Sequence, residues 1–94
     1  MCKLTQFIVD LTEMVKSEYE ITDSEFEKSL CDNATDARVI VVGVLTREGW
    51  SEMEICKALG WKQQRVNSLK NQLNRRMKRR SFRLMWEGIT DLLK

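Results

Sequence analysis

Asp36-Ala37-Arg38-Val39-Ile40-Val41-Val42-Gly43-Val44-Leu45-Thr46-Arg47 is the stretch whose reading decides the fold of this chain. Its β-branched run from Val39 to Val42 carries strand propensity. The spacing nonetheless predicts a helix, because Ala37, Ile40, Val41, Val44 and Leu45 recur at three- and four-residue steps. Asn33 or Thr35 can cap its start, and Gly49 stands where a left-handed residue closes a helix. A buried strand is the competing reading.

The flanking sequence favours helix on both sides. Downstream, Trp50-Ser51-x-x-Glu54-Ile55 combines a hydrophobic staple with a capping box and opens a helix from about Glu52 to Leu59, which Gly60 terminates. Val66, Leu69, Leu73 and Met77 then trace a narrow stripe over Gln63 to Arg79. Phe82, Met85, Trp86, Ile89, Leu92 and Leu93 define a last helix after a break at Ser81. Upstream, Leu4, Phe7, Ile8, Leu11, Met14, Val15 and Tyr19 mark an amphipathic helix over residues 3 to 19. Thr22 with Glu25, and Ile21 with Phe26, repeat the box and staple, so a short helix starts at Asp23 and ends near Cys31. The expected fold is all-α, a single compact domain of about five to six helices containing a helix-turn-helix. Residues 1–33 form an acidic helical segment, 34–80 the helix-turn-helix core and 81–94 a C-terminal helix.

Composition limits the chemistry. Ninety-four residues with 43% hydrophobic and 32% charged side chains, no proline and four glycines describe one globular domain without room for a large cofactor cavity. With no histidine, the usual general base near neutral pH and the commonest metal ligand are both missing. Cys2, Cys31 and Cys56 are odd in number and far apart, which gives neither a disulfide framework nor a zinc site. No apolar run approaches the roughly 18 residues of a membrane span, and the N-terminus does not read as a signal peptide. A cytoplasmic protein is expected, neither an enzyme nor the carrier of a cofactor, metal or small-molecule substrate.

Charge points to a partner. Residues 1–37 hold three basic and nine acidic side chains, net −6, and residues 38–94 hold thirteen basic and five acidic, net +8. Such asymmetry suggests a polyanion-binding half joined to an acidic one. Within the basic half, Ile55, Cys56, Leu59, Gly60, Val66 and Leu69 fit a helix-turn-helix: apolar contacts between two short helices, a small residue at their close approach and a glycine in the turn. The run Gly49-Trp50-Ser51-Glu52-Met53-Glu54-Ile55-Cys56-Lys57-Ala58-Leu59-Gly60 resembles sigma-factor region 4 and related response-regulator output domains of bacteria. Together with the preceding Ala37-Arg38 helix it is also similar to the C-terminal domain of the bacterial replication initiator. Lys62-Gln63-Gln64-Arg65 departs from that initiator's Asp-His-Thr/Ser-Thr motif, so initiator-box recognition does not carry over. The resemblance spans about residues 36 to 80 and implies a reader of double-stranded DNA whose second motif helix enters the major groove, as in a small transcriptional regulator.

At 100° per residue, Val66, Leu69 and Leu73 point inward, leaving Gln64, Asn67, Ser68 and Asn71 outward as candidates for base contacts. Amide side chains donate and accept together at the major-groove edge of adenine. Lys62, Arg65, Lys70, Arg75, Arg76, Lys78, Arg79 and Arg80 are the candidates for phosphates, since the five cations of Arg75–Arg80 repel one another unless a polyanion neutralises them. Trp50 and Trp86 read as core, while Trp61 either packs on the motif or touches nucleic-acid backbone. Leu4, Ile8, Leu11 and Val15 alternate steps of four and three, a seam that packs on the last helix or forms a homodimer. A protein-interaction module on the same scaffold and a single-strand or RNA binder are the competing functions.

Overall fold

The Val39–Val42 run lies in the middle of a helix that is buried on all sides. In the computed structural model, which describes residues 3–93, every residue from Ala34 to Leu45 except Thr35 is buried. This helix, α3 (Asp32–Arg47), is packed against all five others: α1 (Lys3–Tyr19), α2 (Asp23–Lys28), α4 (Glu52–Leu59), α5 (Gln63–Arg76) and α6 (Arg80–Leu92). No strand occurs among the described residues. Energetics explain why strand propensity loses. A valine in a helix costs less than about 1 kcal/mol relative to alanine, whereas full burial of its side chain contributes about 1.5–3 kcal/mol. Gly43 lets two neighbours onto the α3 backbone: a Cβ there would stand 2.9 Å from the Trp86 ring and 3.1 Å from Leu73 Cδ2.

Helix ends follow the sequence signals at four places. Both capping boxes form: Thr22 Oγ1 accepts from the Glu25 amide and Ser51 Oγ from the Glu54 amide, while each glutamate accepts from its cap residue's amide. The bond from the Ser51 amide holds the Glu54 carboxyl below the usual carboxylate range. Gly49, at φ +97°, closes α3, with its amide donating to Thr46 O and that of Trp50 to Leu45 O, both at 3.0 Å. Gly60, at φ +72°, ends α4.

Three boundaries differ from the sequence expectation. Helix α3 begins at Asp32, and neither Asn33 nor Thr35 caps it; the Thr35 hydroxyl donates to Cys31 O instead. Helix α2 ends at Lys28 instead of near Cys31, because the buried Arg38 guanidinium takes the carbonyls of Phe26 at 2.8 Å and Ser29 at 2.7 Å, groups that a longer helix would have used. The break expected at Ser81 falls at Met77–Arg79, where the Lys78 and Arg79 amides donate to carbonyls three residues back.

Ile8, Leu11 and Val15 of the α1 seam are buried inside the domain, chiefly against α3, with α6 alongside. Cys2 and the Leu4 side chain lie outside the described residues. No helix among the described residues is long and apolar enough to cross a membrane.

Tyr19, the chain's single tyrosine, closes α1 with its hydroxyl buried and without a hydrogen-bond partner among the described residues. Burial, reinforced by the Asp36 carboxylate, pushes its phenol well above the ordinary value. The phenol of the unfolded chain ionises near pH 10 while the folded one stays protonated, so stability falls as pH rises past that point. Tyr19→Phe is expected to flatten that decline and, below pH 9, to leave stability unchanged or raise it by up to about 1 kcal/mol. Urea melts across pH 8 to 11, with tyrosinate absorbance recorded alongside, check both expectations; a loss of stability at neutral pH would mean that the hydroxyl has a partner after all.

Candidate nucleic-acid interface

Helices α4 and α5 are joined by the three residues Gly60–Lys62. Ile55 on α4 and Val66 and Leu69 on α5 are buried against α3, with Cys56, Leu59 and Leu73 packed at the margin. Burial of this stripe fixes the rotation of α5. Gln64, Asn67, Ser68 and Asn71 are consequently all exposed, and with Gln72 and Arg75 they line one shallow depression along the helix. From Gln64 to Asn71 this face rises about 10 Å at 1.5 Å per residue, the height of about three base pairs.

The eight candidate phosphate residues separate into two groups. Lys62, Arg75, Lys78 and Arg80 are exposed, with no side-chain partner among the described residues. Arg75 borders the amide depression, and Lys78 and Arg80 follow at the α5–α6 turn. The remaining four have partners inside the protein. Arg76 Nη1 lies 2.6 Å from Asp36 Oδ1, and Arg79 Nη2 lies 2.7 and 2.8 Å from the two Asp36 oxygens. Arg65 donates to the carbonyl of Glu27 and stacks 4.7 Å from the Trp61 ring centroid. Lys70 pairs with Glu52 at 3.5 Å. Mutual repulsion within Arg75–Arg80 is thus met in part by a carboxylate of the chain itself, so the expectation that only a polyanion can relieve it is corrected.

Trp61 packs on the protein. It is 6% exposed, tilts against Phe26 with ring centroids 5.6 Å apart, and donates from Nε1 to Glu27 Oε2 at 2.9 Å. Trp50 and Trp86 sit half-buried against the core, as their positions predict. The acidic half, residues 1–37, therefore holds the basic half at three points: Glu27 on the Trp61–Arg65 pair, Asp36 on Arg76 and Arg79, and the Phe26 and Ser29 carbonyls on Arg38. Sequence reading missed Asp36, Arg38 and Glu27. A signal existed for the first two: a helix apolar on all sides buries any charge it carries, and a buried charge needs a partner.

Comparison with protein-family models, with curated proteins and with solved structures yields no match to this chain.

Proposed function

We propose that the protein binds double-stranded DNA, with α4 and α5 acting as a helix-turn-helix and α5 lying in the major groove, in the manner of a small transcriptional regulator. The observation that carries this reading is the exposed amide face of α5, flanked at its C-terminal end by the exposed cations Arg75, Lys78 and Arg80. Gln64, Asn67, Ser68 and Asn71 supply paired donors and acceptors that suit base edges; the cations suit phosphates as the helix leaves the groove. A face built for a single strand would carry exposed aromatic platforms, and here Trp61 is buried while Trp50 and Trp86 are half-buried.

Selection of bound duplexes from a random pool tests the proposal, and recovery of no enriched sequence rejects base readout. On the selected site, Asn67→Ala is expected to cost about 1–3 kcal/mol and to relax the choice of base at one position, leaving affinity for a scrambled duplex nearly unchanged. Asn67 stands beside Val66, which is fully buried in the core. Equal weakening on both duplexes, with helicity intact, would take Asn67 off the base edges. Single-stranded competitor at equal nucleotide concentration distinguishes duplex binding from the single-strand reading.

A further inference from the structure

Between Lys62 and Arg75, α5 carries two cations, Arg65 and Lys70, and other parts of the protein hold both. They stand on the two flanks of the amide face: Arg65 precedes Ser68 by one turn, and Lys70 follows Asn67 by one turn. Arg65 donates to the Glu27 carbonyl and stacks on Trp61, whose Nε1 in turn donates to Glu27 Oε2. Lys70 pairs with Glu52 of α4 at 3.5 Å. The depression between these flanks is therefore lined by uncharged groups, Gln64, Asn67, Ser68, Asn71 and Gln72, until Arg75 at its far end.

Groove chemistry decides which bases such a face accepts. Adenine presents an acceptor, N7, beside a donor, N6, and a single amide satisfies both. Guanine presents two acceptors, N7 and O6, which a guanidinium or an ammonium satisfies and an amide meets only in part. The two side chains suited to guanine are turned aside, and those suited to adenine remain. We infer that the base pairs under Gln64–Asn71 are selected as A·T, read at adenine N6 and N7, and that Glu27, Trp61 and Glu52 are positioning residues that disfavour guanine by holding Arg65 and Lys70 off the bases. This preference rests on the reading in which α5 lies in the major groove, and it names the class of duplex that the groove-bound helix takes. It also gives the acidic half a part in recognition, through Glu27. A·T-rich duplexes can be favoured by shape alone, through a narrow minor groove, so the atom that separates the two causes is N7.

Selection by the full chain from a random duplex pool is expected to return a motif with A·T pairs at its centre. 7-Deazaadenine, which lacks the N7 acceptor and differs from adenine only on the major-groove side, is then placed at each central position in turn. At one of them it should lower wild-type affinity about tenfold, and that of Asn67→Ala no further. Asn67→Arg should exchange adenine for guanine at that position. Glu52→Ala should raise the share of guanine there about two- to fivefold, and adding Lys70→Ala should return it to the wild-type value. A pair with a merely structural role would move the melting temperature and not the choice of base. Circular dichroism of each variant confirms that it is folded. A motif centred on G·C pairs overturns the inference while leaving duplex binding in place. So does full tolerance of 7-deazaadenine, which assigns the preference to duplex shape, or a Glu52→Ala motif identical to that of the wild type. Recovery of no enriched sequence removes base readout itself, and the inference with it.

Discussion

Raising salt from about 50 to 200 mM is expected to weaken binding to any duplex by about a hundredfold, and no more than that. The number follows from which cations are available. Each phosphate neutralised on B-DNA contributes about −0.9 to the slope of log affinity on log salt. Lys62, Arg75, Lys78 and Arg80 are exposed, and four contacts give a slope of about −3.6. Eight contacts, with Arg65, Lys70, Arg76 and Arg79 added, would give about −7 and a loss greater than ten-thousandfold over the same range. Asp36, Glu52 and the Glu27 carbonyl already occupy those four, so the smaller slope is expected. Fluorescence anisotropy on a scrambled duplex at several salt concentrations measures it. Arg80→Gln should reduce the slope by about one, and Arg76→Gln should leave it unaltered. A flat response removes nucleic acid from the function altogether, and a slope near −7 shows that the internal pairs open on DNA.

The same residues show what the sequence made legible. Capping boxes, the glycines at positions 49 and 60 and the stripe Val66–Leu69–Leu73 are local signals, each read within about one or two turns, and the structure contains them as expected. The exposed amide face of α5 follows from that stripe by helical periodicity alone. Contacts between residues far apart in the chain were not legible: Arg38 on the end of α2, Glu27 on Trp61, Asp36 on Arg76 and Arg79. These contacts, and not the periodicity, decide where α2 stops, where α5 breaks and which arginines remain free. Two of the three displaced boundaries, the end of α2 and the α5–α6 break, lie where a distant side chain competes for the terminal backbone or holds the neighbouring residue; the third, the start of α3, involves only the local bond from the Thr35 hydroxyl to Cys31 O. Charge counting failed for a related reason: a run of five cations looks the same whether a carboxylate 40 residues away is folded against it or not.

Asp36→Ala is expected to lower stability by about 2–4 kcal/mol. The Asp36 side chain is 9% exposed and Arg76 15%, so removing the carboxylate leaves a guanidinium desolvated without its counter-charge. Arg79, with 45% of its side chain in solvent, can turn outward, and its loss matters less. Arg79→Gln should therefore cost under about 1 kcal/mol and Arg76→Gln an intermediate amount. Replacing the buried pair together, Asp36→Leu with Arg76→Met, should recover much of the loss, because an apolar pair carries no desolvation penalty. Urea unfolding of these variants gives the values directly. Asp36→Ala within about 0.5 kcal/mol of wild type would show that the ion pair is not formed in solution. The position of the pair makes this consequential beyond stability. Asp36 stands near the start of α3, the helix that all others touch, and its two arginines bracket Met77–Arg79, where α5 ends and α6 begins. Lys78 lies between those anchors and Arg80 directly follows them, so two of the four candidate cations without an internal partner take their placement from this carboxylate. An Asp36 variant that remains folded should then bind a duplex with the same amide-face preference, since Val66 and Leu69 still hold the rotation of α5. Its phosphate contacts, carried on a loosened turn, should be weaker.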